Sequence, residues 1–520
     1  MAERARARRR SGRRERVEER SASEPGAGTP NPVYLNLKNP YRPTEQFSAD
    51  QIEAIHDTSL AILKDIGLRV LSDRARRIFR DAGADVDESE MMVRFDPDLV
   101  MASVDQAPAE VTLHARNPAR SFTIGGMSVG FGTVGGPPNI SDIENGRQPG
   151  SIAAFDDIAR LTQSFDVIHF MSPAVEPMDV EPGKRHLHMT RSMMALTDKI
   201  PFVYSRGTEA IRDSLEIVRM ANDVSDAAFD EKPRCCTVVN ANSPLQLDDL
   251  MCGGIMDFAA RGQLMVLTPF TLAGAMAPVT IPGALAQQNA EALAGITLSQ
   301  LTRPGAPVSY GGFTSNVDMK SGAPAFGTPE YVQAAFASGQ LARRYGLPFR
   351  SSNVNASNAP DVQAAYESQM ALWGALMGGC HMLMHGAGWL EGGLTASFEK
   401  FIIDVEMLQM FARLMQPVAF DEDSLALSAV REIEPGGHYF GTQHTLARYD
   451  TAFYAPLLSD WRNFETWHEA GAVDATRRAN AIYKDVLANF TPPPIDPAVA
   501  EEIDAFVARR EAEGGADLER

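Results

Sequence analysis

The strongest constraint on this chain is an alternation that begins near residue 151. Short apolar runs recur at DVIHFMSPAVEP (166–177), PFVYSRG (201–207), RCCTVVNANSP (234–244), LMVLTPFTLAG (264–274), PVSYGGFTS (307–315), PFRSSNVNAS (348–357) and CHMLMHGAGWLEG (380–392). Amphipathic stretches suited to helices occupy 151–164, 208–223, 245–261, 283–302, 329–346, 360–378 and 396–416. Strands without a polar face belong to parallel sheets covered by helices on the outside. The interval of about 30–40 residues is that of one βα unit. An eighth unit is expected near 425–441 (LALSAVREIEPGGHYFG). The pattern therefore predicts an α/β fold, a closed (β/α)8 barrel over 151–460. No GxGxxG opens a helix after a first strand, which argues against a dinucleotide-binding sheet.

The flanks read differently. Ser48 and Asp50 cap a helix in which Ile52, Ile55, Leu60, Leu63 and Ile66 share a face, and Gly67 ends it. A second helix is expected from Ser72 to Ala82. Residues 91–145 hold short extended runs broken by Gly and Pro, which predict a small sheet beside the main unit or plugging its bottom. Residues 33–150 are thus read as an N-terminal helical and β extension, and 461–520 as C-terminal helices. Residues 1–20 contain nine Arg and four Glu and almost no apolar residues, so 1–32 are read as a disordered basic tail.

Charge and cysteine content narrow the class. A net charge of -19 argues against a nucleic-acid surface. No run of about 18 apolar residues or secretory signal is present, so a cytoplasmic protein with no membrane span is expected. Cys235, Cys236, Cys252 and Cys380 are too few for a disulfide framework in a chain of this length. Adjacent Cys235 and Cys236 would point to opposite faces of a strand. No Cys/His spacing suggests a metal site, so none is expected.

In barrels the chemistry sits at the C-terminal ends of the strands. Here those ends are polar or aromatic: Tyr204-Ser205-Arg206, Asn240-Ala241-Asn242, Thr268-Pro269-Phe270, Tyr310-Gly311-Gly312-Phe313, Asn353-Val354-Asn355, and His385 to Glu391. The densest stretch is HMLMHGAGWLEGGLTASFEKFIIDVEML (381–408). His381 and His385 alternate with methionines and are expected on one strand face. Trp389 and Glu391 follow on a glycine-rich turn. Glu399, Asp404 and Glu406 follow on the next helix, where Glu399 and Lys400 could also be a solvated face. The loop PGGHYFGTQHT (435–445) presents His438, Gln443 and His444, read as facing a partner rather than holding zinc. In TIGGMSVGFGTVGGPPNISD (123–142) hairpin turns are expected, with Phe131 reaching over the barrel.

The runs GAPAFGTPEY (322–331), PDVQAAYES (360–368), GAGWLEGGLTASFEKFIIDVEML (386–408) and GGHYFGTQHTLARYDTAFYAPLLSD (436–460) resemble the trimethylamine methyltransferase family. The resemblance extends over about residues 40–490. It implies a (β/α)8 barrel that transfers a methyl group from an amine to the cobalt of a corrinoid held by a cognate protein, with no cofactor bound by this chain. The founding enzymes carry pyrrolysine just before the PDAQ-type segment. Here that stretch reads SSNVNASNAPDVQ (351–363), with Val354 near the position. The chain is therefore similar to the non-pyrrolysine branch, whose known members use quaternary amines such as glycine betaine.

That branch suits the chemistry. A quaternary ammonium departs as a neutral amine, so the protein needs only to aim one N-methyl at a strong nucleophile. Aromatic faces recognise such a cation, and Phe131, Tyr310, Phe313 and Trp389 are the cage candidates. A betaine carboxylate needs donors, for which His385, Asn242, Arg206 and Asn355 are the candidates, with Glu399 adding charge on the cation side. A homo-oligomer is the expected assembly. The alternatives are trimethylamine as the methyl donor, a betaine-binding barrel without catalysis, or a metal-dependent barrel enzyme such as a lyase.

Overall fold

Eight parallel strands, each followed by a helix, form the centre of the molecule, whose structure (a computed structural model) describes residues 31–517. In chain order they are β1 (Ser128–Thr133), α1 (Ile152–Ser164), β2 (Phe170–Met171), α2 (Arg185–Leu196), β3 (Ile200–Pro201), α3 (Thr208–Ala221), β4 (Cys236–Val239) and α4 (Asp249–Ala260). Then come β5 (Leu264–Leu267), α5 (Ile281–Thr302), β6 (Val308–Gly311), α6 (Pro329–Arg344), β7 (Phe349–Ser352), α7 (Val362–Met377), β8 (Met382–Ala387) and α8 (Phe398–Leu414). Each strand pairs in parallel with the next, β8 returns to β1, and a parallel bridge from Phe202 to Cys236 joins the β3 and β4 sides. The expected (β/α)8 barrel is the fold.

Its limits differ from the expected 151–460. The first strand is SVGFGT (128–133), within the stretch assigned to the small sheet, and the stretch 425–441 supplies none. After α8 the chain instead runs through short helices at Glu422–Leu425, Leu427–Arg431 and Gln443–Arg448. The cause is local: glycines at 130 and 132 blur the β-rich signature of β1. Helix α2 also has no counterpart in the amphipathic stretches read from the sequence. The expected tail lies outside the described residues except at its end, where the Asn31 side chain donates to the Ser164 carbonyl and accepts the Asp166 N–H.

Strand alternation sorts the apolar residues into two cores. Leu264, Val266, Cys236, Met382 and Met384 face the lumen, whereas Met265, Leu267, Cys235 and Leu383 face the helices. Cys235 and Cys236 thus point opposite ways, and all four cysteines are free and buried. The hairpin Val111–Leu113 with Phe122–Ile124 shares the lumen cluster and closes the N-terminal end. Glycine is required opposite it: a Cβ at Gly130 would lie 2.5 Å from the Phe122 ring, and one at Gly132 would lie 2.0 Å from that of Phe170. Helices Ala475–Ala488 and Pro497–Ala512 pack on the outside, the first against α8 and the second against α2 and α3. No helix among the described residues is long and apolar enough to cross a membrane.

Candidate functional site

The open end of the barrel holds a cavity of about 280 Å³ built from strand C-terminal ends and the loops after them. Phe202, Tyr204 and Arg206 come from the end of β3, Val238 and Asn240 from β4, and Asp248 and Met251 from the start of α4. Phe313 follows β6, Arg350 belongs to β7, and Met384, His385 and Trp389 come from β8 and its turn. A larger surface cleft of about 470 Å³ lies between α3 and the last helix. It is away from the strand ends and lined by ion pairs such as Arg510 with Asp213 at 2.9 Å.

One wall is aromatic. After β5 and β6 the chain forms a small projecting sheet, Phe270–Ala273 beside Phe313–Val317, which brings the Phe270 and Phe313 rings to 5.1 Å. Phe326 stacks on Phe313 at 5.8 Å and meets the Trp389 ring edge-on at 6.1 Å. His385 lies 4.4 Å from Trp389. Rings packed this way are rigid and present polarisable faces to a cation.

The lumen also contains a buried cation. In register, Arg350 sits beside Met382 and Ser352 beside Met384, so both point inward. The Arg350 guanidinium is 4.9 Å from the Phe313 centroid, and its Nε and Nη1 have no hydrogen-bond partner. Burial pushes its pKa down to about 10, so it stays charged at neutral pH. Among the described residues no carboxylate makes an ion pair with it. Buried donors are nearly always satisfied, so Arg350 stands out as an unpaired charge beside the cavity.

His385 reaches the cavity through a break in its strand. Simple alternation would have turned it, like Leu383, toward the helices. Instead its φ is 55° and the ladder shifts register between Leu383 and Ala387, which re-aims the ring. His381 and His385 therefore do not share a face, correcting the sequence expectation. His381 lies at the opposite end of β8, where its Nδ1 accepts the Phe349 N–H at 2.8 Å. Burial, and next the Arg350 charge, hold His385 well below the ordinary histidine range. It is therefore neutral. Its Nδ1 accepts the Gly135 N–H at 3.2 Å, which leaves the proton on Nε2.

Of the substrate-site residues singled out in the sequence, Arg206, Phe313, His385 and Trp389 line this cavity. Asn355 stands behind it: its Nδ2 donates to the Trp389 carbonyl at 2.6 Å, and its own carbonyl accepts the Trp389 indole N–H at 3.0 Å. The other four point elsewhere. Phe131 is fully buried on the helix side of β1, against His169. Tyr310 faces α5, where its hydroxyl donates to Asn289 at 2.9 Å. Asn242 braces its loop through Asp248. Glu399 accepts the Ile143 N–H and the Asn480 amide, which ties the barrel to the C-terminal helices. Strand and helix parity, which residue type does not reveal, decided Phe131, Tyr310 and Glu399, and a loop-bracing pair of hydrogen bonds decided Asn242.

Lys400 is likewise no solvated face but fully buried, as are Glu399 and Asp404. His438 and Gln443 are exposed and His444 half-buried on the arm after α8. Sequence reasoning passed over Arg350, Phe202, Asp248 and Phe326, and it placed Tyr204 at a strand end without assigning it to the substrate site. A lone arginine within PFRSS was the available signal, since strand parity sets it on the same side as Ser352. Among the described residues no group of three or more His, Cys, Asp or Glu could hold a metal ion.

The sequence profile described as Trimethylamine methyltransferase (MTTB) matches residues 9–515. The chain belongs to this family. It is 36% identical over 468 residues to the glycine betaine methyltransferase of Desulfitobacterium hafniense (strain Y51), covering 90% of this chain and 97% of that protein. It is 30% identical over 475 residues to the trimethylamine methyltransferase MttB of Desulfitobacterium hafniense (strain DSM 10664 / DCB-2), covering 90% and 94%. Among solved structures, the Methanosarcina barkeri monomethylamine methyltransferase (MtmB) aligns with a TM-score of 0.46 at 10% identity, covering 88% of this chain and 92% of that one. The chain is thus a methyltransferase of the trimethylamine methyltransferase family, and its cavity is where the methyl donor is to be sought.

Proposed function

We propose that this methyltransferase takes a methyl group from a betaine, a quaternary ammonium that also carries a carboxylate. The unpaired Arg350 guanidinium on the cavity wall carries this reading. Leaving a buried charge without a partner costs several kcal/mol, on the order of 3–5. A betaine carboxylate would answer it with a charge-assisted pair, helped by His385 Nε2–H. Trimethylamine brings no group that could do so. Val354, near the position where the founding enzymes carry pyrrolysine, is a buried aliphatic side chain with no group to activate a tertiary amine. The similarity to a glycine betaine methyltransferase supports the same substrate class.

The ammonium end would rest against Trp389 and Phe202, with Asp248 supplying negative charge, since the Arg206 guanidinium already lies 5.0 Å from the Tyr204 ring. Phe313 is already faced by Arg350, so it orients the anion side. The methyl acceptor in this reading is the reduced cobalt of a corrinoid carried by a partner protein, a nucleophile that attacks an N-methyl in line. A cavity of about 280 Å³ suits a small zwitterion and is far too small for a corrinoid macrocycle, which supports keeping that cofactor on the partner. The loop bearing His438, Gln443 and His444 remains our proposed contact with that partner. The test is a screen of glycine betaine, larger betaines and methylamines against a reduced corrinoid protein, following loss of the Co(I) absorbance. Turnover of carboxylate-bearing quaternary amines is expected. Turnover of trimethylamine alone would overturn the reading.

A further inference from the structure

We infer that Asp404 and Lys400, a buried ion pair on α8, are positioning residues that hold His385 and Trp389 in the cavity. This rests on the proposed reading of the cavity only where a substrate readout is used. The observation is where the hydrogen bonds converge. One Asp404 carboxylate oxygen accepts the Gly388 N–H at 2.8 Å, and the other accepts Asn353 Nδ2 at 3.1 Å and the Lys400 ammonium. Asn353 Nδ2 also donates to the Gly386 carbonyl at 3.0 Å. Lys400 Nζ donates to the Ser368 hydroxyl at 2.9 Å, which in turn accepts Asn355 Nδ2 at 3.3 Å, and Asn355 grips Trp389 from both sides.

Every arm of this web ends on a peptide group of residues 386–389 or on the Trp389 indole. These groups need it because the strand is bent there. His385 has φ 55° and Gly388 has φ 99°, so the backbone ladder of β8 no longer satisfies them. A straight strand would need no such help, but it would turn His385 away from the cavity. Burial alone pushes the Lys400 pKa down and that of Asp404 up, and each charge counters the shift of the other. A pair of this kind is a poor source of stability compared with well-packed apolar residues. Its return is a fixed geometry at the site.

The pair can be removed without stranding a charge, in the double variant Lys400→Met/Asp404→Leu. Trp389 can be watched alone after Trp373, Trp461 and Trp467 are replaced by Phe, since the chain has four tryptophans. We expect the double variant to fold but to melt below the parent temperature, because the buried Gly388 N–H and Asn353 amide lose the carboxylate that accepts from them. Acrylamide quenching of Trp389, measured without substrate, should rise about threefold. KM for the betaine should rise about tenfold with a smaller change in kcat, as misplacement of a binding group predicts. Ser368→Ala, which unlinks Lys400 from Asn355 without removing a charge, should shift both readouts the same way by less, and it decides the matter if the double variant does not fold. A folded variant with unchanged quenching would overturn the inference whatever the substrate proves to be. Failure to turn over any betaine would count only against the proposed function.

Discussion

The two ends of the barrel each bury a cation, and they treat it in opposite ways. At the closed end, Lys199 precedes β3 and is 2% exposed, and its ammonium donates to the carbonyls of Thr162 and Phe165. At the open end Arg350 is 1% exposed, with Nε and Nη1 unanswered. The hydroxyls of Thr268 and Ser352 are also without partners at or near the mouth. At the closed end His381 is bonded through both ring nitrogens, to the Phe349 N–H and the Gly126 carbonyl. For Lys199 and Arg350, equal burial with unequal satisfaction separates a cation that serves the fold from one that leaves donors for a ligand.

The sharpest attempt to break this contrast is Arg350→Met. Removing a buried donor to a substrate carboxylate should lower kcat/KM for the betaine by on the order of 10²-fold or more. The melting temperature should hold or rise, because an unpaired buried charge is gone. An active Arg350→Met enzyme would erase the distinction. The converse at the closed end is Gly130→Ala. Its Cβ would overlap the Phe122 ring of the closing hairpin, so a stability loss of about 1–3 kcal/mol is expected in denaturant melts, with KM unchanged.

Lys199 sharpens the comparison through pH. Burial, and next the nearby Arg120, lower its pKa from 10.5 to about 7 in the folded protein. Between those values the unfolded chain binds more protons than the folded one, so this group makes stability rise with pH over that window. Below about pH 7 its full charging cost is present. The melting temperature of Lys199→Met relative to the parent should therefore be highest near pH 6 and decline toward pH 9. A pH-independent difference would mean the lysine is not desolvated as described. The smallest effect is expected for Tyr310→Phe. It loses a hydrogen bond to Asn289 behind the barrel wall, about 1 kcal/mol of stability, and leaves KM for the substrate unchanged.

Seven of the eight strands were legible because parallel strands covered on both faces leave unbroken apolar runs between helices. The eighth was not, because β1 contains Gly130 and Gly132, whose reason is a three-dimensional contact with Phe122 and Phe170. In the site, Trp389 and His385 could be singled out from the glycine-rich turn that bears them. Asn355 was named for the right neighbourhood, but it binds Trp389 rather than lining the cavity. Tyr310 and Phe313 looked equivalent at one strand end, yet Tyr310 turns outward to α5 while Phe313, past the glycine pair, turns to the mouth.

The sequence by itself determined the repeating unit, the barrel and the family, since each follows from local periodicity or from long motifs. Only the tertiary structure decided which polar residues are satisfied. Lys199, Lys400 and Arg350 are all buried cations inside or beside apolar runs, and only Lys400, with Asp404 four residues on, has its ion-pair partner in the local sequence. Their roles differ because two carbonyls meet the first, a carboxylate and a hydroxyl meet the second, and neither Nε nor Nη1 of the third finds a partner. Apart from Asp404, one turn along the same helix, those partners are supplied by residues distant in the chain, so the distinction exists only once the barrel has closed.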